Sequence, residues 1–212
     1  KSMPEGILLW RGLLQWIGGV GIIVMAISIL PVLQVGGMQV FRTESSDTTE
    51  KILPRTTQVS FAVIIIYLSL TVLCFISYWL SGMRLFESLV HSMTTIATGG
   101  FSTRNDSFAS FNNRSTEYIA ILFMILSSLP MLIYLEVTRN GIKSFFRDTQ
   151  IITFLIIIFV SSLLVISYLW IFDFKNFEQS LRHGTFNVVS IITGTGYTSD
   201  NYNLWGPFPI YL

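Results

Sequence analysis

Four long stretches without a charged side chain, residues 12–41, 59–83, 118–135 and 151–172, restrict this chain more than any other feature. A helix rises 1.5 Å per residue, so about 20 apolar residues cross the roughly 30 Å of hydrocarbon in a bilayer. The stretches reach that length or, in the third case, fall just short of it. Only 12% of residues are charged, against about a quarter in a soluble domain. The chain therefore reads as an all-α integral membrane protein whose first partner is the lipid bilayer.

The 13 basic and 12 acidic residues leave a net charge of +1, and no basic run is dense enough for nucleic acid. Cys74 is the single cysteine and lies inside an apolar run, so it reads as a small buried hydrophobe without an internal disulfide. The chain opens on Lys1-Ser2-Met3-Pro4 without a basic-then-apolar leader, and it stops at Gly206-Pro207 and the residues after them, where another span is expected to begin. Both ends are expected to be cut from a longer chain.

The order of segments is more informative than any one of them. Residues 1–40 hold a first span of about 8–33, crowded with Gly18, Gly19 and Gly21 and ended by Pro31 and Gly36-Gly37. Residues 41–56 are polar. Residues 57–139 hold a span of about 57–80, a helix over 84–97 too short to cross, a Gly/Thr turn, a polar loop and a span of about 115–137 that Pro130 should kink. After a polar segment at 140–148 the same grammar returns in 149–212. A span of about 149–172 precedes a short helix over 177–192, with Asn176 and Gln179 spaced as a cap, then a second Gly/Thr turn and the start of an outer span. Laying Gly100 on Gly196 gives a period of 96 residues, and internal repetition of this kind marks a fold built from repeated membrane units.

Backbone that is not helical at membrane depth leaves amides and carbonyls unpaired, and it persists only when buried in protein or lining a watery cavity. Here it occurs twice, each time after the C-terminal end of a short helix. That end carries about half a negative charge and favours a cation. Glycine permits the backbone angles that turn carbonyls toward a common axis, and threonine adds a further oxygen. Such oxygens can replace the hydration shell of an alkali ion. Glu87 and Glu178 lie near the starts of the short helices, where acids are favoured, while Arg104 and Asp200 fall just beyond the turns.

At these residues the sequence resembles the Trk/Ktr/HKT superfamily of potassium transporters, and within it the membrane subunit of bacterial Trk systems. The run from Trp10-Arg11-Gly12-Leu13-Leu14-Gln15-Trp16 to Val24 resembles that subunit's signature. His91 to Thr103 resembles its second filter, and Val188 to Thr198 its third. The resemblance implies a channel-like, pseudo-fourfold pore of four hairpins, each giving one filter centred on a glycine, here Gly100 and Gly196, so that the ion-binding residues would be Ala97, Thr98, Gly99 and Gly100 in one turn and Thr193, Gly194, Thr195 and Gly196 in the other. It makes the first span the closing span of the first hairpin, and the segments 41–56 and 140–148 cytoplasmic loops. The first filter, which bears on potassium against sodium preference, would precede Lys1. Potassium would be the transported ion, with no organic cofactor and no other metal. A homodimer of pore subunits and a cytoplasmic nucleotide-binding ring (RCK/TrkA-like) would be the protein partners, in the bacterial inner membrane. Two departures stand out. Ser127-Ser128-Leu129-Pro130 replaces a Gly-Cys-Asn-Phe-like stretch, and the extra Gly194 should loosen the third filter.

Potassium uptake through a carbonyl-lined filter is therefore the expected function. The alternatives are the potassium-binding subunit of a P-type ATPase and a superfamily member permeable to both sodium and potassium. An enzyme is not expected, since no phosphate-cradling loop, paired acids or His/Asp cluster is visible. His91 and His183 invite a metal or proton-relay role, but neither has a Cys or carboxylate cluster beside it, so helix packing is expected for both.

Overall fold

A computed structural model describes residues 3–33, 49–111, 113–172 and 174–211 of the chain. Eight helices carry the described residues: α1 (Glu5–Leu33), α2 (Thr49–Leu80), α3 (Leu85–Ile96), α4 (Arg114–Ser128), α5 (Met131–Asn140), α6 (Thr149–Ile171), α7 (Phe177–Ile192) and α8 (Pro207–Tyr211), with 3₁₀ turns at Ser107–Phe111, Ile142–Arg147 and Tyr202–Leu204. No strand occurs among the described residues.

Three helices hold stretches long and apolar enough to cross a membrane, at Glu5–Ile27, Thr57–Leu80 and Thr149–Ile171. Their outward faces are greasy: Trp10, Ile17 and Ile22 on α1, Phe61 and Leu73 on α2, and Ile156 and Phe159 on α6 are all exposed. A soluble protein would hide such a surface, whereas lipid covers it at no penalty. The first helix continues to Leu33 past the position of Pro31, and Gly36-Gly37 lie outside the described residues. The second begins at Thr49, inside the segment expected as a loop, and runs through Pro54. The rest of that loop, 41–48, is outside the described residues.

The span expected over 115–137 is broken rather than merely kinked. Arg114–Ser128 and Met131–Thr138 are bent by 86° at Leu129-Pro130. Pro130 has no amide proton and disfavours a helical conformation in Leu129, whose ψ is 147°. Ser127 then donates to the Thr95 carbonyl at 3.2 Å, and the Tyr134 hydroxyl closes back on the Leu126 carbonyl at 2.5 Å, so oxygens near the break are satisfied.

The core lies between the two repeated units. Val63, Tyr67, Cys74 and Tyr78 of α2 pack with Ala120 and Met124 of α4 and with Phe186 and Val189 of α7. Cys74 is thus the buried core hydrophobe expected. At the centre sits Phe108, fully buried, with ring centroids 4.6 Å from Tyr197, 5.3 Å from Phe186 and 5.5 Å from His91. The loop after the turn at 98–100 therefore plugs into the unit formed by residues 149–211, and Ala109 donates to the Thr198 carbonyl at 3.2 Å.

Candidate functional site

Both short helices end in the same local chemistry. Positive φ angles occur at Thr98 (+49°) and Gly100 (+64°), and at the equivalent Gly194 (+72°) and Gly196 (+83°). A hydroxyl in the last turn of each helix reaches across the bend to the carbonyl of the aromatic residue beyond it. Thr94 donates to Phe101 at 2.9 Å, and Ser190 to Tyr197 at 2.7 Å. All four of these pairs of positions are 96 apart, so the period read from the sequence extends to backbone angles and hydrogen bonds.

The helix ends differ in how they close. At α3 the Thr98 amide reaches the Thr95 carbonyl and the Gly99 amide reaches Thr94, which is the paired bonding of a Schellman cap. At α7 the Gly194 amide reaches Ile191, but the Ser190 carbonyl is taken by Gly196, one residue later than a Schellman cap requires. The third turn is accordingly wider, as the additional glycine suggests. No basic residue stands in the last turn of either helix, so the partial negative charge of their C-terminal ends is left for a cation.

These two turns, far apart in sequence, touch at their backbones. A Cβ added to Gly100 would overlap the Thr195 carbonyl oxygen and lie 3.1 Å from the Gly196 carbonyl carbon. Around Gly194 and Gly196, in contrast, a Cβ would meet nothing within 4 Å. The carbonyls of Thr98, Gly100, Thr193, Gly194 and Thr195 receive no protein hydrogen bond among the described residues. Two other carbonyls are engaged: Ala97 accepts from the Thr98 hydroxyl at 2.8 Å, and Gly99 accepts from the Gln15 side-chain amide at 3.0 Å. A carbonyl has two lone pairs, so each retains acceptor capacity. A cavity of about 350 Å³ borders both turns, lined by Thr98 and Thr193 and by the break residues Ser127 to Met131.

The third turn is also pinned to the second unit by Tyr197. Its hydroxyl lies 2.6 Å from the Thr94 hydroxyl and 3.3 Å from the His91 carbonyl. Tyr78 of α2 reaches Thr95 at 3.0 Å, completing a buried hydroxyl network around the end of α3.

Ion pairs tie the segments after the turns to the starts of the short helices. Arg104 pairs with Glu87 at 2.8 Å, and Lys175 pairs with Asp200 at 2.7 Å. Burial opposes ionisation of Asp200, but hydrogen bonds from Lys175 and Trp205 outweigh it and hold the carboxyl below its usual range. Arg104 and Asp200 are equivalent positions of opposite sign, so the two clamps share a place and not a polarity. Deeper in, Arg182 of α7 meets Glu117 of α4 at 2.5 Å, with side chains 8% and 1% exposed, while Glu178 lies 3.2 Å from Arg182. This buried pair joins the third unit to the second. No sequence spacing announces it, because the partners stand 65 residues apart.

The remaining expectations divide. Glu87 and Glu178 do lie in the first turns of their helices. Asn176 occupies the N-cap position of α7, but its side chain makes no capping bond, contrary to the Asn176/Gln179 reading; Ser180 instead donates to the Lys175 carbonyl at 3.2 Å. His91 is held between the Glu87 carbonyl at 2.8 Å and Ser102 at 3.0 Å, and His183 lies 3.0 Å from Ser199. Both are hydrogen-bonded, and His183 also has the Glu117 carboxylate 3.6 Å away, a neighbour that the sequence did not suggest.

Comparison with known proteins agrees with this geometry. A family model described as TrkH, cation transport protein, matches residues 1–211. The Trk system potassium uptake protein TrkI of Halomonas elongata is 41% identical over 97% of this chain and 42% of its own length. Its counterpart TrkH of Escherichia coli K12 is 34% identical over 100% of this chain and 44% of its own. Among solved structures, the potassium transporter TrkH from Vibrio parahaemolyticus superposes with a TM-score of 0.85 at 32% identity, over 98% of this chain and 42% of that one. The chain thus spans less than half the length of these relatives.

Proposed function

This chain belongs to the TrkH family of cation transport proteins, and we propose that it supplies two of the filter turns of a potassium-uptake pore. The observation that carries this reading is the backbone contact between Gly100 and Thr195. Two turns 96 residues apart would have no reason to meet at membrane depth unless they formed one structure. The carbonyls of Thr98, Gly100, Thr193, Gly194 and Thr195, without protein donors among the described residues, supply the oxygen surface that a dehydrated alkali ion needs. The α3 and α7 C-termini add negative potential at the same place. The ion passes without covalent chemistry, so no enzymatic role is assigned.

Within this reading the filters face outward, and the 3₁₀ turn Ile142–Arg147 lies on the cytoplasmic side. There the exposed Lys143 and Arg147, beside exposed Ile142 and Phe146, form a surface suited to a regulatory ring. Arg104, Arg114, Lys175 and Arg182, on the outer side in this reading, are paired with acids. A second pore subunit completes the assembly. Uptake is preferred over an ATPase subunit because relatives covering nearly all of this chain are Trk uptake proteins.

The test is rubidium uptake by potassium-starved cells carrying the full-length protein. Gly100→Asp drives a side chain into the Thr195 backbone, Gly196→Asp sets a carboxylate at a φ of +83° beside the turn carbonyls, and each should abolish uptake at normal protein level. Undiminished transport in both variants would overturn the filter assignment.

A further inference from the structure

Helix α1 meets the second turn in a regular register. Arg11 places its guanidinium 4.3 Å from the Phe101 ring, Gln15 donates to the Gly99 carbonyl at 3.0 Å, and Gly19 abuts Ala97. The helix positions 11, 15 and 19 share one face. Residues 11, 15 and 19 of that face thus meet Phe101, Gly99 and Ala97, alternate residues of the turn. A side chain at Gly19 would come within 3.3 Å of the Ala97 backbone and within 2.9 Å of the Tyr67 hydroxyl, so the close seat needs a glycine there. Trp16 fixes the rotation of α1: its indole donates to Thr71 and its carbonyl accepts from Tyr67, each at 3.0 Å.

Gln15 is the one member of this face that bonds the turn itself. Its amide lies flat against the Gly99 Cα, where a side chain would collide with it. Its other end, Oε1, is buried without a hydrogen-bond partner. Burying an amide half-satisfied costs free energy, so core packing alone would favour leucine or methionine at this position. What the amide provides is a donor that fixes the Gly99 peptide from outside the turn.

We propose that Gln15 is a positioning residue for the filter, its amide holding the Gly99 carbonyl and so setting how the second turn discriminates potassium from sodium. This rests on the pore reading above. It acts through the Gly99 peptide and does not itself touch the ion.

The experiment measures rubidium and sodium uptake in parallel, with the full-length protein unsubstituted and carrying Gln15→Leu or Gln15→Glu. Losing one hydrogen bond corresponds to a change of about 3- to 10-fold, and the rubidium-to-sodium ratio should fall by that factor in Gln15→Leu at unchanged protein level. Gln15→Glu keeps the shape but loses the donor when ionised. Its ratio should be low at about pH 8 and recover at about pH 5, where a protonated carboxyl again offers an O–H, while the unsubstituted ratio stays flat. A merely structural side chain would reduce both fluxes together and show no recovery. An unchanged ratio in both variants, or equal loss of both fluxes, would overturn the inference while leaving the pore intact. Absence of rubidium uptake in the unsubstituted protein would instead sink the pore reading and this inference with it.

Discussion

At the second turn a threonine accepts φ +49° and the helix end closes on a Schellman cap; at the equivalent place in the third turn a glycine takes +72° and the closing bond arrives one residue late. The second turn is also gripped from outside by Gln15 and pressed by Thr195, whereas the glycines of the third face open space. Two copies of one sequence pattern have thus become a tight turn and a loose one. What they keep in common, the positive φ pair and the hydroxyl-to-carbonyl bond across the bend, is what an oxygen-lined turn requires. What differs is the wall each turn rests on.

The largest expected effect comes from the anchor that only the third unit has. Arg182 aligns with Phe86 of the second unit and is buried against Glu117. Breaking a buried pair leaves an uncompensated charge, and Arg182→Met should lower the stability of the full-length protein by about 3–5 kcal/mol. Replacing both partners, as Glu117→Leu with Arg182→Met, should recover most of that. Thermal unfolding in detergent distinguishes the outcomes, and a double variant no better than the single one would contradict the account.

The two turn glycines should then separate. Gly100→Ala forces a methyl onto the Thr195 backbone, overpacking that typically costs about 1–3 kcal/mol, on top of an unfavourable φ. Gly196→Ala meets open space and carries only the φ penalty, of about 1 kcal/mol. Rubidium flux should fall more steeply for position 100, and equal losses would show that the two seats do not differ.

Tyr197→Phe removes the hydroxyl that joins the turns and should cost about 1 kcal/mol, read as a modest drop in thermal stability with the fold retained. Smallest is the exchange of the left-handed residues. Thr98→Gly relieves the positive φ, Gly194→Thr imposes it, and each should shift stability by at most about 1 kcal/mol in opposite directions. Same-sign shifts would mean that side-chain contacts, not backbone angles, dominate there.

Much of this was legible in the sequence. The short helices were expected over 84–97 and 177–192 and run Leu85–Ile96 and Phe177–Ile192, because apolar runs end at clear punctuation: Ser81-Gly82 and the Gly/Thr turns. The glycine period was visible because both turns need φ angles that few side chains accept. The rest depended on residues far apart in the chain. Gln15 reads as a polar residue in a membrane signature, and only its contact with Gly99, 84 residues away, gives it a task. A lone amide in an uncharged span is the one local hint. Pro130 announced a kink but not an 86° break, since the size of a bend is set by what Ser127 and Tyr134 can bond once the helix opens. Asn176 has the right spacing for a cap that its side chain does not make.

Whether two distant turns share one ion path is the question on which the rest depends. Anomalous scattering from rubidium or thallium bound to the full-length protein answers it most directly. The peak should lie between the carbonyls of 98–100 and those of 193–195. A peak remote from both, with these oxygens turned toward lipid or packed side chains, would contradict the account.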